Sequence, residues 1–67
     1  MANAILLQEL LRDSGKTKSH VASKAKVSRP RLDNILEHPE TATYGQADAI
    51  SRELSMKADV RNEIFLP

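Results

Sequence analysis

The sequence predicts an all-α protein, a compact bundle of about five short helices that forms a single domain over residues 1–67. Two observations support this fold class. Apolar residues recur at three- and four-residue intervals in several short segments, as they do on one face of a helix. Hydroxyl residues, glycine or proline bound those segments, where helices commonly begin and end. A domain of this size buries only about 60% of its unfolded surface, so we expect a second subunit or a ligand to add stability.

The first helix is expected from about Ala4 to Ser14, with Gly15 as its C-terminal stop. Its apolar stripe consists of three leucines and the two ends of the segment: Leu7, Leu10 and Leu11, with Ala4 and Ser14. Ile5 and Leu6 make this stripe wider than one face requires. Two explanations stay open, a helix buried on two sides and a surface for self-association.

Residues 17–36 contain two short helical patterns separated by a tight turn. The first begins at Thr17, whose hydroxyl can cap unpaired backbone donors. The second occupies residues 28–36 with Ser28 as its cap; Arg29 is an alternative cap, because a residue that precedes proline avoids helical angles. Only two residues separate the patterns, so the second helix is expected to cross the first at a steep angle.

The positive charge of the chain is concentrated in one segment, although the net charge is only +1. Residues 14–31 carry six bases and no acid, giving +6. Residues 1–13 carry one base against two acids, and residues 32–67 carry three bases against seven acids, giving −1 and −4. Cations grouped in this way attract a polyanion, so the distribution indicates binding to nucleic acid.

A fourth helix is expected to begin at Thr43, because Gln46 follows three residues later and completes the pattern of a capping box. Ser55 is expected to end this helix. Its buried stripe is expected to contain Ala47, Ile50 and Leu54. Met56, which follows the helix, is expected to fill the core. The preceding residues 37–43 form a polar loop with Ala42 as its only apolar anchor.

The C-terminal tail, residues 57–67, has two structural interpretations. Val60 and Ile64 are four residues apart, which favours a short fifth helix closed by Pro67. Residues 64–66 alone would suit a strand paired with its copy in a second subunit. In either case these apolar side chains are expected in the core or in a dimer seam, which makes the tail a candidate dimer contact.

Small, apolar and capping residues recur with a characteristic spacing between about Ala4 and Met56: Thr17, Val21, Ala22, Val27, Ser28, Leu32 and Ile35, then Ile50, Leu54 and Met56. This pattern resembles the Cro/C1-type, lambda-repressor-like helix-turn-helix family of phage repressors and related bacterial regulators. The resemblance implies a DNA-binding transcriptional regulator, most like a small phage Cro or repressor protein. The chain departs from the family at four positions: Lys26 replaces a usual glycine, His20 and Leu36 replace frequent acidic residues, and Pro30 lies in the first turn of the recognition helix.

The resemblance and the side-chain chemistry together assign candidate base-reading residues: Arg29, Pro30, Asp33 and Asn34. Arg29 and Asn34 match base-reading positions in the family; arginine can donate two hydrogen bonds to guanine, and an asparagine amide can pair with adenine. Asp33 could accept from cytosine or penalise wrong placement beside phosphate. Pro30 could touch a thymine methyl or only fix the first helical turn.

Candidates for phosphate or mixed contacts lie around the same helices: Lys16, Thr17, Lys18, Ser19, Ser28, Arg31 and Thr41. The N-terminal amides of a helix attract anions, and lysines release counterions from DNA. We therefore expect a homodimer that binds a palindromic operator in double-stranded DNA. Two alternatives stay open: an antitoxin-like autorepressor that also binds a partner protein, and a helix-turn-helix fold used only for protein interaction.

Other classes of function find little support in the sequence. It contains no cysteine, no phosphate-binding glycine loop and no recognised catalytic spacing, so we expect no enzyme, cofactor or metal site. His20 and His38 are expected to be surface histidines. No apolar run approaches the roughly 20 residues that cross a bilayer, and the start lacks a basic leader, which together predict a cytoplasmic protein.

Overall fold

The computed structural model describes residues 3–66, which form five α-helices and one 3-10 turn and contain no β-strand. The helices are α1 (Ala4–Ser14), α2 (Lys18–Ala25), α3 (Arg29–Glu37), α4 (Tyr44–Glu53) and α5 (Ala58–Phe65), with the 3-10 turn at Pro39–Thr41. The predicted all-α bundle is confirmed, and the tail is a helix rather than a strand. Pro67, expected to close that helix, lies outside the described residues. None of the five helices combines the length and apolarity needed to span a membrane.

Hydroxyl residues cap the starts of three helices: Thr17, Ser28 and Thr43. The Ser28 hydroxyl accepts the backbone N–H of Arg31 at 3.2 Å, so Ser28 rather than Arg29 is the cap of α3. Thr43 and Gln46 form the predicted capping box, in which each side chain accepts the other residue's backbone N–H. Local hydrogen bonds therefore fix where these helices begin.

The turn between α2 and α3 depends on a lysine in the left-handed conformation. Lys26 has φ 58° and ψ 42°. Its N–H donates to the carbonyl of Ser23 at 3.2 Å, and the N–H of Val27 donates to the carbonyl of Ala22 at 3.0 Å. These bonds satisfy the carbonyls at the end of α2. A residue that has a Cβ atom thus adopts here the left-handed conformation that glycine reaches more easily.

All five helices contribute to one buried core, which contains Leu7, Leu11, Val21, Ala22, Ala25, Leu32, Ile35, Leu36, Ala47, Ile50, Ile64 and Phe65. Leu54 and Met56 pack against this core and are partly buried. The backbone N–H of Asn3 donates to the carbonyl of Ile64 at 3.1 Å, which joins the start of α1 to the end of α5. The core thereby holds α3 on α1 and α2 and leaves its other side exposed.

Two apolar residues differ from what the sequence predicts, and a third is left at the surface of the single chain. Pro39 is fully buried, because the 3-10 turn carries it into the core, so Ala42 is not the only apolar anchor of the loop. Ile5 is 72% exposed, so burial of α1 on two sides is wrong at this position. Leu66 is 55% exposed and lies outside the core that Ile64 and Phe65 join, so its expected place in a dimer seam stays a prediction. The described part of the chain therefore presents large apolar side chains at its surface.

Candidate nucleic-acid interface

The exposed side of α3 carries all four predicted base-reading residues: Arg29, Pro30, Asp33 and Asn34. The buried residues of the same helix are Leu32, Ile35 and Leu36. The exposed set occupies positions i, i+1, i+4 and i+5 of the first two turns, which share one side of a helix. The N-terminal half of α3 thus has a polar outer face, while its apolar residues anchor it to the core.

Arg29 links the start of α3 to the first turn of α2. Its Nη1 atom donates a hydrogen bond to Ser19 Oγ at 3.1 Å, and both residues are exposed. A guanidinium group has five N–H donors, so most of them stay available to other acceptors. The bond therefore orients the Arg29 side chain and places it beside the predicted phosphate-binding residues of α2.

A second link between α2 and α3 joins Lys18 and Asp33. The Lys18 Nζ atom lies 3.7 Å from Asp33 Oδ1, and each side chain is about half exposed. An ion pair at this distance and exposure contributes little to stability. Its main effect is on the electrostatics of the face, because Asp33 partly neutralises the lysine that precedes Ser19.

The start of α2 offers backbone donors as well as cations. The Thr17 hydroxyl accepts the backbone N–H of His20 at 3.0 Å, which caps the helix. The backbone N–H groups of Lys18 and Ser19 lie in the first turn of α2, where no carbonyl of the same helix can accept them. Lys16 lies immediately before the cap and is exposed. A helix N-terminus of this kind favours a negatively charged group.

An open groove of about 570 Å³ is lined by residues of α1, of α3 and of the start of α2. Its lining mixes bases, acids and apolar residues: Gln8, Leu11, Arg12, Lys16, Lys18, Asp33, Leu36 and Glu37. Arg12 therefore brings a cation from α1 to the predicted interface. The sequence assigns Arg12 no role there, because its own segment has a net negative charge.

Arg31 and Thr41 are engaged with each other rather than directed only to solvent. Arg31 Nη2 donates to the carbonyl oxygen of Thr41 at 2.7 Å and to Gln46 Oε1 at 3.1 Å. The Thr41 hydroxyl donates to the carbonyl oxygen of His38 at 2.7 Å. These bonds tie α3 to the 3-10 turn and to the capping box of α4. Contact of Arg31 or Thr41 with phosphate stays a prediction, and any such contact would have to coexist with these internal bonds or replace them.

Glu53, the last residue of α4, lies against two residues at the start of α2. Its Oε1 atom is 3.1 Å from Lys16 Nζ and 2.8 Å from His20 Nε2. The Glu53 side chain is only 16% exposed. Hydrogen bonds from His20 and then Lys16 hold the pKa of the Glu53 carboxyl below its ordinary value. The carboxylate is therefore ionised at neutral pH and shares one oxygen between two basic groups.

The two histidines are surface residues, as the sequence predicts. His20 and His38 are both exposed, and His38 Nδ1 lies 3.7 Å from Glu40 Oε2. Within residues 3–66, no three His, Cys, Asp or Glu side chains are grouped closely enough to hold a metal ion. His20 with Glu53 and His38 with Glu40 are thus two separate pairs in different parts of the fold.

No protein-family model, curated protein or solved structure matches the chain. The resemblance to the Cro/C1-type family accordingly stays an expectation from the residue pattern.

Proposed function

We propose that the protein is a sequence-specific regulator of transcription that binds double-stranded DNA through a helix-turn-helix formed by α2 and α3. The observation that carries this proposal is the Arg29–Ser19 hydrogen bond of 3.1 Å. It brings the predicted base-reading start of α3 and the predicted phosphate-binding start of α2 onto one exposed surface. A duplex offers base edges and phosphates together in this way at the rim of its major groove.

In this proposal α3 lies in the major groove with its first turn towards the bases. Arg29 donates two hydrogen bonds to a guanine, and Asn34 pairs with an adenine one turn further along. Pro30 contacts a thymine methyl. Asp33 repels phosphate and accepts from cytosine only in the correct register. The buried stripe of α3 supports these roles, because it fixes the rotation of the helix about its axis.

Phosphate binding is assigned mainly to the start of α2 in this proposal. The backbone N–H groups of Lys18 and Ser19 and the side chains of Lys16 and Lys18 supply donors and positive charge. Arg12 adds a cation from the opposite wall of the groove. Arg31 has a smaller part than the sequence suggests, because two of its guanidinium nitrogens already donate within the chain.

We further propose a symmetric homodimer on a palindromic operator. Tyr44 and Leu66 are 77% and 55% exposed, and both line a groove of about 240 Å³ beside α5. Large apolar side chains on so small a domain favour burial against a second copy. Two-fold symmetry then places two copies of α3 in successive major grooves, about one helical turn apart.

Selection of bound duplexes from a random pool at near-physiological salt, followed by sequencing, tests the proposed function. Enrichment of an inverted repeat with half-sites about one helical turn apart is the expected result. Enrichment of a single half-site would keep sequence-specific DNA binding and exclude the dimer. A lack of enrichment, together with a lack of salt-dependent binding to any duplex, would overturn the DNA-binding proposal.

A second candidate is a protein-interaction role, either alone or in an antitoxin-like autorepressor. The observation that favours it is the exposure of Ile5 on α1, since an isoleucine that is 72% exposed suits burial against a partner. Ile5→Ser would then abolish complex formation, whereas Arg29→Ala would leave it intact. Stable co-purification with one defined partner protein, lost only in the Ile5 variant, would favour this candidate.

A further inference from the structure

The Glu53 carboxylate contacts two basic residues beside the proposed phosphate-binding start of α2. Lys16 and His20 flank the cap of α2, and both contact the same Glu53 oxygen, at 3.1 Å and 2.8 Å. Glu53 reaches them from the end of α4, which packs on α2. Its side chain is largely buried, while Lys16 and His20 stay partly exposed. The carboxylate thus lies behind the two basic groups, on the protein side of the surface.

A phosphate at the start of α2 would compete with this carboxylate. The Lys16 ammonium has three N–H donors, so it can turn towards a phosphate. An N–H group that still donates to Glu53 cannot donate to the DNA. The negative charge of Glu53 also lies close enough to Lys16 to reduce the positive potential that attracts the backbone. Both effects are independent of base sequence.

We propose that Glu53 sets the strength of DNA-backbone binding by competing with phosphate for Lys16 and His20. This inference rests on the proposed DNA-binding function and extends it to a residue outside the two DNA-contacting helices. Glu53 is a positioning residue in this scheme, because it acts through Lys16 and His20 and does not itself touch DNA. Its carboxylate lowers the affinity for specific and non-specific duplexes by the same factor.

Glu53→Gln tests the competition, because glutamine keeps the size of the side chain and removes its charge. The matched control is Glu63→Gln, which makes the same change in net charge on α5, a helix that packs on α1, on α4 and on the 3-10 turn. Binding to a random-sequence duplex is measured by fluorescence anisotropy over a range of salt concentrations at fixed pH. We expect the Glu53 variant to bind roughly three- to tenfold more tightly than the Glu63 variant, with a salt slope steeper by about one phosphate contact.

A double variant separates competition from a general charge effect. In a Lys16→Ala background, Glu53→Gln should give a much smaller gain in duplex affinity, because the ammonium group that the substitution frees for phosphate is missing. An equal gain in both backgrounds would overturn the proposal. Circular dichroism checks that each variant is folded; if Glu53→Gln does not fold, Glu53→Asp serves instead, since its shorter side chain withdraws the carboxylate and should give a smaller gain of the same sign.

The remaining outcomes distinguish this inference from the function on which it rests. If the wild-type protein binds duplex in a salt-dependent way and Glu53→Gln binds no more tightly than Glu63→Gln, the competition is overturned and DNA binding stands. Weaker binding by Glu53→Gln would mean that Glu53 presents Lys16 to the phosphate, which also overturns it. If the wild-type protein binds no duplex at any salt concentration, the proposed function and the inference fall together.

Discussion

Arg29 and Ser19 are joined by a hydrogen bond of 3.1 Å, although ten positions separate them in the chain. The bond connects the first turns of α2 and α3 on the exposed side of the domain. It is possible because the left-handed turn at Lys26 brings the two helix starts to one surface. The backbone conformation of Lys26, which has no proposed base contact, thereby determines where the proposed base-reading Arg29 lies.

Arg29→Lys should reduce sequence preference while leaving general DNA affinity nearly unchanged. Lysine keeps the positive charge but lacks the planar fork that donates two hydrogen bonds to guanine. Loss of one bidentate contact is expected to cost about 1–3 kcal/mol at a single base pair. Competition between the selected operator and its single-base variants measures this change. Equal loss of affinity for all duplexes would instead assign Arg29 to the phosphate backbone.

Arg31→Ala should destabilise the fold by about 1–3 kcal/mol, because it removes charged hydrogen bonds to the Thr41 carbonyl and to Gln46. The matched control is Arg52→Ala. Arg52 is 81% exposed, and its one ion pair within residues 3–66 is with Asp48, one turn away on the same helix, so its loss should cost less than about 0.5 kcal/mol. Urea denaturation of both variants gives the comparison. Similar losses from both would mean that the bonds of Arg31 to the loop add nothing to stability.

The helix boundaries were accessible from the sequence because their signals are local. Thr17, Ser28 and Thr43 each accept a backbone N–H three residues ahead, so the cap and its partner lie in the same short segment. Gly15 likewise adopts the left-handed conformation, at φ 74°, at the end of the helix that it was expected to stop. Such features need no knowledge of the rest of the fold.

The contacts of Glu53 and Arg31 could not be predicted in the same way. Glu53 lies 33 and 37 positions from His20 and Lys16, and no periodic pattern relates the end of one helix to the start of another. Arg31 follows the helical pattern of an exposed cation, yet its long side chain reaches a loop carbonyl ten positions away. Burial of Pro39 is a third example, because it depends on how the 3-10 turn meets α3 and α5.

Lys26→Gly should stabilise the protein by roughly 0.5–1 kcal/mol. A residue with a Cβ atom pays about 1–2 kcal/mol in the left-handed conformation, and glycine avoids that strain while adding entropy to the unfolded chain. Lys26→Ala is the control, since it removes the same charge and keeps the Cβ atom. Thermal and urea unfolding should show that the glycine variant is more stable than the alanine variant. The reverse order would show that the backbone at Lys26 is not strained.

The contribution of Glu53 to stability should disappear in acid. Hydrogen bonds from His20 and Lys16 lower the pKa of this carboxyl in the folded state. A carboxyl whose folded pKa lies below its unfolded pKa stabilises the fold above the unfolded pKa, and that stabilisation is lost as the pH falls through the folded pKa. Glu53→Gln should therefore be less stable than wild type at pH 7. The difference should narrow as the pH falls below about 4.3, the ordinary pKa of glutamate.

Urea midpoints between pH 7 and pH 3 measure this convergence, with Glu63→Gln as the control for a change in net charge. A constant difference between wild type and Glu53→Gln across that range would mean that the carboxylate charge does not stabilise the fold. If Glu53→Gln is less stable than wild type at pH 7 and also binds duplex more tightly, one carboxylate has opposite effects on fold stability and on DNA affinity. The carboxylate would hold the start of α2 to the end of α4 because it is anionic, and it would oppose phosphate at the same position for the same reason.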